Sequence, residues 1–206
     1  MTYRELRDSM KDFTVFSVRE IFRVDPAFHR RRLNEWQDKG YIRKVVKGFY
    51  LFADRAMDEW ALFEIANRIY KPSYVSLESA LAHYQLIPES VYGLISVSTR
   101  RSYRFASAVA DFRYRTVKPW LFFGYDLAAG GGKRVKIARP EKAILDFLYL
   151  NPRLQSGSDF DSLRIDGEQF FRLVNERALR TALTRFAQKS LAARVEHFLE
   201  HLRSRG

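Results

Sequence analysis

The sequence contains no cysteine in 206 residues. That absence excludes disulfides, thiolate zinc sites, iron–sulfur clusters and cysteine nucleophiles together, and it fits a reducing compartment. Long hydrophobic runs are missing too: nothing approaches the roughly 20 apolar residues that span a bilayer, and the opening MTYRELRDSMKDF has no signal-peptide core. A soluble, cytoplasmic protein is expected. Histidine is sparse, at positions 29, 83, 197 and 201. Only His197 and His201 have the i,i+4 spacing of metal ligands, and they sit in a charged terminal stretch that reads as a solvated helix face. No metal or cofactor is expected.

What is present is basic charge and enough apolar material for a core. Hydrophobic residues make up 47% of the chain, which separates it from a disordered basic tail, and the net charge is +12. Such a surface attracts polyanions, above all nucleic acid. The excess is spread along the chain: residues 1–52 carry 12 basic and 7 acidic side chains, 53–152 carry 14 and 10, and 153–206 carry 10 and 7. Where it clusters in space therefore decides its meaning.

The first fifty residues have a clear pattern. Tyr3, Leu6, Met10 and Phe13 fall on one face of a short helix. Ser17 with Glu20 forms a capping box for a helix over Val18–Val24. Asp25-Pro26 starts a third helix, Pro26–Lys39, which stops at Gly40, with Leu33, Trp36 and a packed His29 on its buried face. Two strand-like runs, 41–46 and 49–52, flank a Lys47-Gly48 turn. Three short helices and a basic hairpin are the winged helix-turn-helix order. Arg30, Arg31 and Asn34 on the third helix suit base edges, because Arg pairs in bidentate fashion with guanine and Asn with adenine. Arg43, Lys44 and Lys47 on the hairpin suit phosphates. The competing reading is a solvated charged helix in a winged helix that binds protein.

Further along, the spacing predicts a hinge over 54–60, a helix to Tyr70, and a short helix capped by Ser76 and ending before Pro88. Strands are predicted over Leu94–Val97, Tyr103–Phe105, Phe112–Val117 and Leu121–Tyr125, then Val135–Ala138 after a Gly130-Gly131-Gly132 turn. A helix follows over Pro140–Leu150, a polar loop over Leu154–Asp166, helices over Glu168–Asn175 and Ala178–Lys189, and a last helix capped by Ser190. The expected whole is α+β: the winged helix at 1–53, then at 54–206 a mixed domain with an antiparallel sheet and C-terminal helices.

A second basic surface gathers Arg100, Arg101, Arg104, Arg113, Arg115 and Lys118, with Tyr103 and Tyr114 interleaved if the two strands pair. Charge with stacking surface suits single strands and phosphates, an acidic partner fits as well, and the same residues equally keep an edge strand from aggregating. Enzyme motifs fail. Gly130-Gly131-Gly132-Lys133 lacks the phosphate-loop spacing, with Arg134 where Ser or Thr belongs. Asp126 with adjacent Glu141-Lys142 lacks the Glu-x-Lys strand of a metal-dependent nuclease, and Glu141 is a helix-start acid. No catalytic residues are assigned.

The runs KPSYVSLESALAHYQLIPE (71–89), SVSTRRSYRF (96–105), FFGY (122–125) and IARPEKAILDFLYL (137–150), with GFYLF (48–52) ahead of them, resemble the AbiEi antitoxin family. The resemblance covers about residues 1–150. It implies a winged helix that represses the protein's own operon by binding inverted repeats in its promoter. It also implies a C-terminal domain acting against a nucleotidyltransferase-like toxin of a type IV toxin–antitoxin, phage-defence system, without requiring a stable complex with that toxin. The alternatives are a stand-alone winged-helix regulator without an antitoxin role and a metal-dependent nuclease.

Overall fold

The computed structural model describes residues 1–88 and 93–205; Glu89, the last residue of the 71–89 run, lies outside them. The chain begins with α1 (Tyr3–Met10), β1 (Phe16–Ser17), α2 (Val18–Val24), α3 (Arg31–Asp38), β2 (Ile42–Val46) and β3 (Phe49–Phe52). The Ser17–Glu20 capping box forms as its spacing predicts. Asp25 does not begin α3; it accepts the Ala27 amide and holds a turn instead. Phe28 rather than His29 then enters the core, and His29 is exposed. Gly48, at φ +85°, closes the hairpin, a backbone angle that side-chain-bearing residues rarely adopt.

The three strands lie in the order β1-β3-β2, all antiparallel. One face of this sheet, through Phe16, Ile42, Tyr50 and Phe52, packs with Leu6, Ile21, Leu33 and Trp36. Its other two buried apolar residues, Val45 and Leu51, lie in a second, larger core. The sheet is therefore apolar on both sides.

That larger core belongs to α4 (Glu59–Ile69), β4 (Ser73–Val75), α5 (Leu77–His83), β5 (Leu94–Ser98), β6 (Tyr103–Ala106), β7 (Asp111–Thr116), β8 (Tyr125–Gly130), β9 (Lys133–Ala138) and α6 (Pro140–Leu150). Four helices complete it: α7 (Gly157–Ser162), α8 (Gly167–Leu173), α9 (Glu176–Thr184) and α10 (Lys189–Arg205). The strands form one sheet in the order β6-β7-β5-β4-β9-β8. The molecule is thus an α+β protein with N-terminal helices on a small three-stranded sheet, a six-stranded sheet and C-terminal helices. Among the described residues no helix is long and apolar enough to cross a membrane.

The expected antiparallel sheet is corrected to a mixed one, because β5 pairs with β7 and β4 with β9 in parallel. Between β5 and β7 the chain makes the β6 excursion to the edge, and that crossover reverses the sense of pairing. The run Leu121–Tyr125 is not a strand: Pro119 sets a 3₁₀ turn over 119–121, and β8 starts only at Tyr125. The loop expected over 154–166 contains α7, capped by Ser156 and anchored by buried Phe160. Ser190 lies inside α10, which begins at Lys189.

Alternation along β4 and β7 sends hydroxyls to opposite sides. Ser73 and Tyr114 both donate to the Ala66 carbonyl of α4, at 3.4 and 2.9 Å, whereas Tyr74 donates to Asp146 of α6 at 2.9 Å. Helix α4 is also the seam with the N-terminal unit. Its Arg68 pairs with Glu20 and lies 4.4 Å over the Phe13 ring, and its Glu64 accepts the buried Thr14 hydroxyl.

Candidate nucleic-acid interface

Helix α3 buries Leu33 and Trp36 and turns the opposite face outward. Arg30 sits at its N-cap, Arg31 in its first turn, and Asn34 three and four residues on, so these three share one exposed face. Among the described residues Arg30 has no side-chain partner. Arg31 is 83% exposed and only 3.9 Å from Glu35, a solvated pair of little energetic weight. Arg32, the third of the run, is engaged differently: it donates to the Met1 carbonyl at 2.5 Å.

On the hairpin, Lys44 and Lys47 are exposed and unpaired among the described residues. Arg43 is half-buried and donates to the Ala53 carbonyl at 3.1 Å, which ties the hairpin to the following chain. The sequence reading passed over two residues. Arg19 and Arg23 on α2 are exposed and unpaired among the described residues, and the amide of neighbouring Val18 donates to Gly48 of the hairpin turn at 3.0 Å. Their signal was the i,i+4 spacing on the side of α2 opposite Val18 and Ile21.

The second basic group is only partly assembled. Strands β6 and β7 do pair, Tyr103 against Tyr114 and Arg104 against Arg113. Arg104 and Arg113 are exposed, and Arg104 is relieved by Asp111 at 3.6 Å; like charges directly opposite otherwise repel. Tyr114 does not interleave with them, since it is buried against α4, where loss of water pushes its hydroxyl pKa far up. Arg115 is half-buried and donates to the Leu150 carbonyl at the end of α6, 2.7 Å away. Arg100 lies 4.5 Å over the Tyr70 ring and donates to the Lys71 carbonyl at 3.3 Å. Arg101 is exposed, and Lys118 stands 5.1 Å over Trp120.

A charged cluster lies where no surface reader would use it. Lys142 and Asp146, i,i+4 on α6, form an ion pair with side chains 2% and 0% exposed. Asp146 also accepts the hydroxyls of Tyr74 and Ser76, each at 2.9 Å, and the Lys142 ammonium faces the Phe123 and Phe186 rings at 4.9 and 5.0 Å. Ser76 is therefore held by Asp146 and makes no cap bond to α5, against expectation; Leu77 at φ +51° gives that helix start an unusual geometry. Burial raises the Asp146 pKa and lowers that of Lys142, and the mutual attraction of the pair opposes both shifts.

Among the described residues no group of three or more His, Asp or Glu side chains is placed to hold a metal ion. The His83 ring packs against Trp60 and Phe63, and its Nδ1 meets Glu59 at 2.8 Å. His201 meets Asp161 at 2.6 Å. Gly130 of the glycine run lies where an added Cβ would fall 2.1 Å from the Trp60 ring, so its role is close packing. The arrangement is that of an α+β protein with an exposed basic helix beside a basic hairpin. No protein-family model matches the chain, and no curated protein matches it either.

Proposed function

We propose that the protein is a DNA-binding transcriptional autorepressor and the antitoxin of a type IV toxin–antitoxin, phage-defence system. One observation carries the DNA-binding part. Arg30, Arg31 and Asn34 form an exposed face on α3, beside Lys44 and Lys47 of the hairpin, which are unpaired among the described residues. The order α1-β1-α2-α3-β2-β3, with strands β1-β3-β2, supports a winged helix-turn-helix over residues 1–53. In that reading α3 enters the major groove and reads base edges, while the wing and Arg19 and Arg23 meet phosphates.

The antitoxin part rests on the resemblance of the motifs between 48 and 150 to the AbiEi family. Residues 54–206 are then the antitoxin domain, and the functional partner is a nucleotidyltransferase-like toxin. The protein acts in the cytoplasm as a binding protein and not as an enzyme, with double-stranded DNA as its ligand and the inverted repeats of its own promoter as its site.

Two measurements test this. Changing Lys44 and Lys47 together to Ala should weaken binding to all DNA sequences alike and reduce the log–log salt slope by about 2; an unchanged slope would remove the hairpin from the interface. Co-expression with the neighbouring gene should restore growth that this gene alone arrests. If the neighbour is harmless by itself, the antitoxin role falls and a stand-alone regulator remains.

A further inference from the structure

The six-stranded sheet has two edges, and they are built differently. One is β6, four residues long, with an Arg104 side chain that is 66% exposed. A short strand carrying an exposed cation resists pairing with a further strand. The other is β8, six residues long, with the sequence YDLAAG. Its single charged side chain, Asp126, is held by Arg139 at 3.0 Å. Leu127 is 52% exposed, and Ala129, on the same face by the period of two, is exposed as well. An edge that is long, nearly uncharged and apolar is open to another strand.

The hydrogen bonds of the β8–β9 hairpin fix which backbone groups that edge presents. At one end the Arg139 amide donates to the Gly124 carbonyl at 2.9 Å. At the other, Gly131 and Gly132, at φ +54° and +72°, close a two-residue turn between Gly130 and Lys133. Both ends set the same alternation: Asp126 and Ala128 bond inward to β9, while the amides and carbonyls of Tyr125, Leu127 and Ala129 point outward. Strand β9 has the matching phase. Lys136, opposite Leu127, turns its backbone away from β8, and the Asn67 side chain accepts from its amide and donates to its carbonyl. A side chain thus fills the open stretch of β9. Nothing among the described residues does the same for the outer side of β8.

We propose that β8 pairs with β8 of a second copy of the chain, antiparallel about a two-fold axis at Leu127, so that two six-stranded sheets join into one. Residues whose backbone groups point outward must meet each other, which sets Leu127 opposite Leu127 of the second copy and Tyr125 opposite its Ala129. All the outward amides and carbonyls then find partners. In this register Asp126 falls opposite Ala128, and no like charges meet. An axis at residue 126 would set two carboxylates face to face, and one at residue 128 would place Tyr125 against the glycine turn. An acidic peptide fits this edge less well, because the exposed cations nearby, Arg134 and Lys136, stand on β9, one strand removed, and Lys136 lies 5.6 Å over the Tyr125 ring. No residue of α3 or its hairpin takes part, so the pairing stands whether or not the DNA-binding reading does.

Sedimentation of the full chain from micromolar to near-millimolar concentration should show a monomer–dimer equilibrium. It should tighten between about 0.05 and 0.5 M salt, because screening weakens the repulsion of two chains that each carry +12. Leu127→Pro removes one outward amide from each copy and spares the bonds to β9, so it should raise the dimer Kd about thirtyfold, the weight of two ordinary hydrogen bonds. Leu127→Lys keeps the backbone intact and sets two ammonium groups opposite each other, which should raise Kd about fivefold. Arg104→Ala on the other edge, and Arg30→Ala with Arg31→Ala, should change nothing. Since the chain has no cysteine, cross-linking reads the register. Leu127→Cys should form a disulfide dimer under mild oxidation, its Cα about 5.5 Å from that of its copy. Ala129→Cys, about 14 Å from its copy along the strands, should not. A monomer at every concentration overturns the proposal, as does a dimer that both Leu127→Pro and Leu127→Lys leave intact. Cross-linking through Ala129→Cys as complete as through Leu127→Cys overturns the register.

Discussion

Asp146→Ala is expected to lower the free energy of unfolding by about 3–5 kcal/mol, because it leaves a buried ammonium without its counter-charge. Lys142 has nowhere to go: its side chain is 2% exposed and faces aromatic rings. The same change orphans the hydroxyls of Tyr74 and Ser76, which both donate to this carboxylate. Against a total of roughly 5–15 kcal/mol for a folded domain, such a loss is a large fraction. Chemical denaturation followed by circular dichroism measures it as a shift of the midpoint. Combining Lys142→Met with Asp146→Asn should recover most of the loss, since the charge leaves with its partner and the amide oxygen still accepts a hydroxyl. A single variant within about 1 kcal/mol of the unmodified protein, the mean worth of one ordinary hydrogen bond, would show that the pair is solvated and that α6 is less enclosed than described.

The second large effect concerns DNA. Arg30→Ala with Arg31→Ala should weaken binding to the promoter's inverted repeats by about 2–6 kcal/mol, from about 1–3 kcal/mol for each bidentate contact to a guanine. That is at least a thirtyfold rise in Kd, and it should exceed the loss on unrelated DNA, because base contacts and not only phosphate contacts are removed. Stability should hardly change, as both side chains are exposed and the Arg31–Glu35 pair is long and solvated. A gel-shift or anisotropy titration against the specific repeats and a scrambled duplex separates the two quantities. Equal, small losses on both duplexes would move the reading face away from α3.

Elements fixed by neighbours in sequence were legible. The capping box of α2, the Lys47-Gly48 turn and the bounds of α6 follow from caps, Pro140 and periodicity alone. Misreadings arose where distant partners decide. Whether β5 pairs with β7 in parallel depends on a crossover and register that no local pattern encodes. Ser76 carried a capping signature, yet a carboxylate 70 positions away holds its hydroxyl. Helix α7 is six residues long and polar, and Phe160 is its one buried residue. Of the candidate site residues, exposure separates Arg30, Arg31, Asn34, Lys44 and Lys47 from Arg43 and Arg115, whose guanidinium groups serve backbone carbonyls. Sequence gives their charge but not their burial. The Lys142–Asp146 pair was not foreseen, although the apolar residues surrounding it on α6 marked a helix enclosed on every side.

The small sheet, apolar on both faces, has a mechanical consequence. Val45 and Leu51 belong to the larger core, while their strand neighbours Ile42 and Phe52 hold α3 from the other side. The hairpin is a shared wall and not the end of a tether, so the bearing of α3 is set by a sheet that is itself built into the larger core. Any molecule that favours one position of α4 over another must then favour one pose of α3, and under the proposed function DNA bound at α3 would favour the same position of α4 in return. The free energy of one event would enter the other through Val45, Leu51, Glu64 and Arg68.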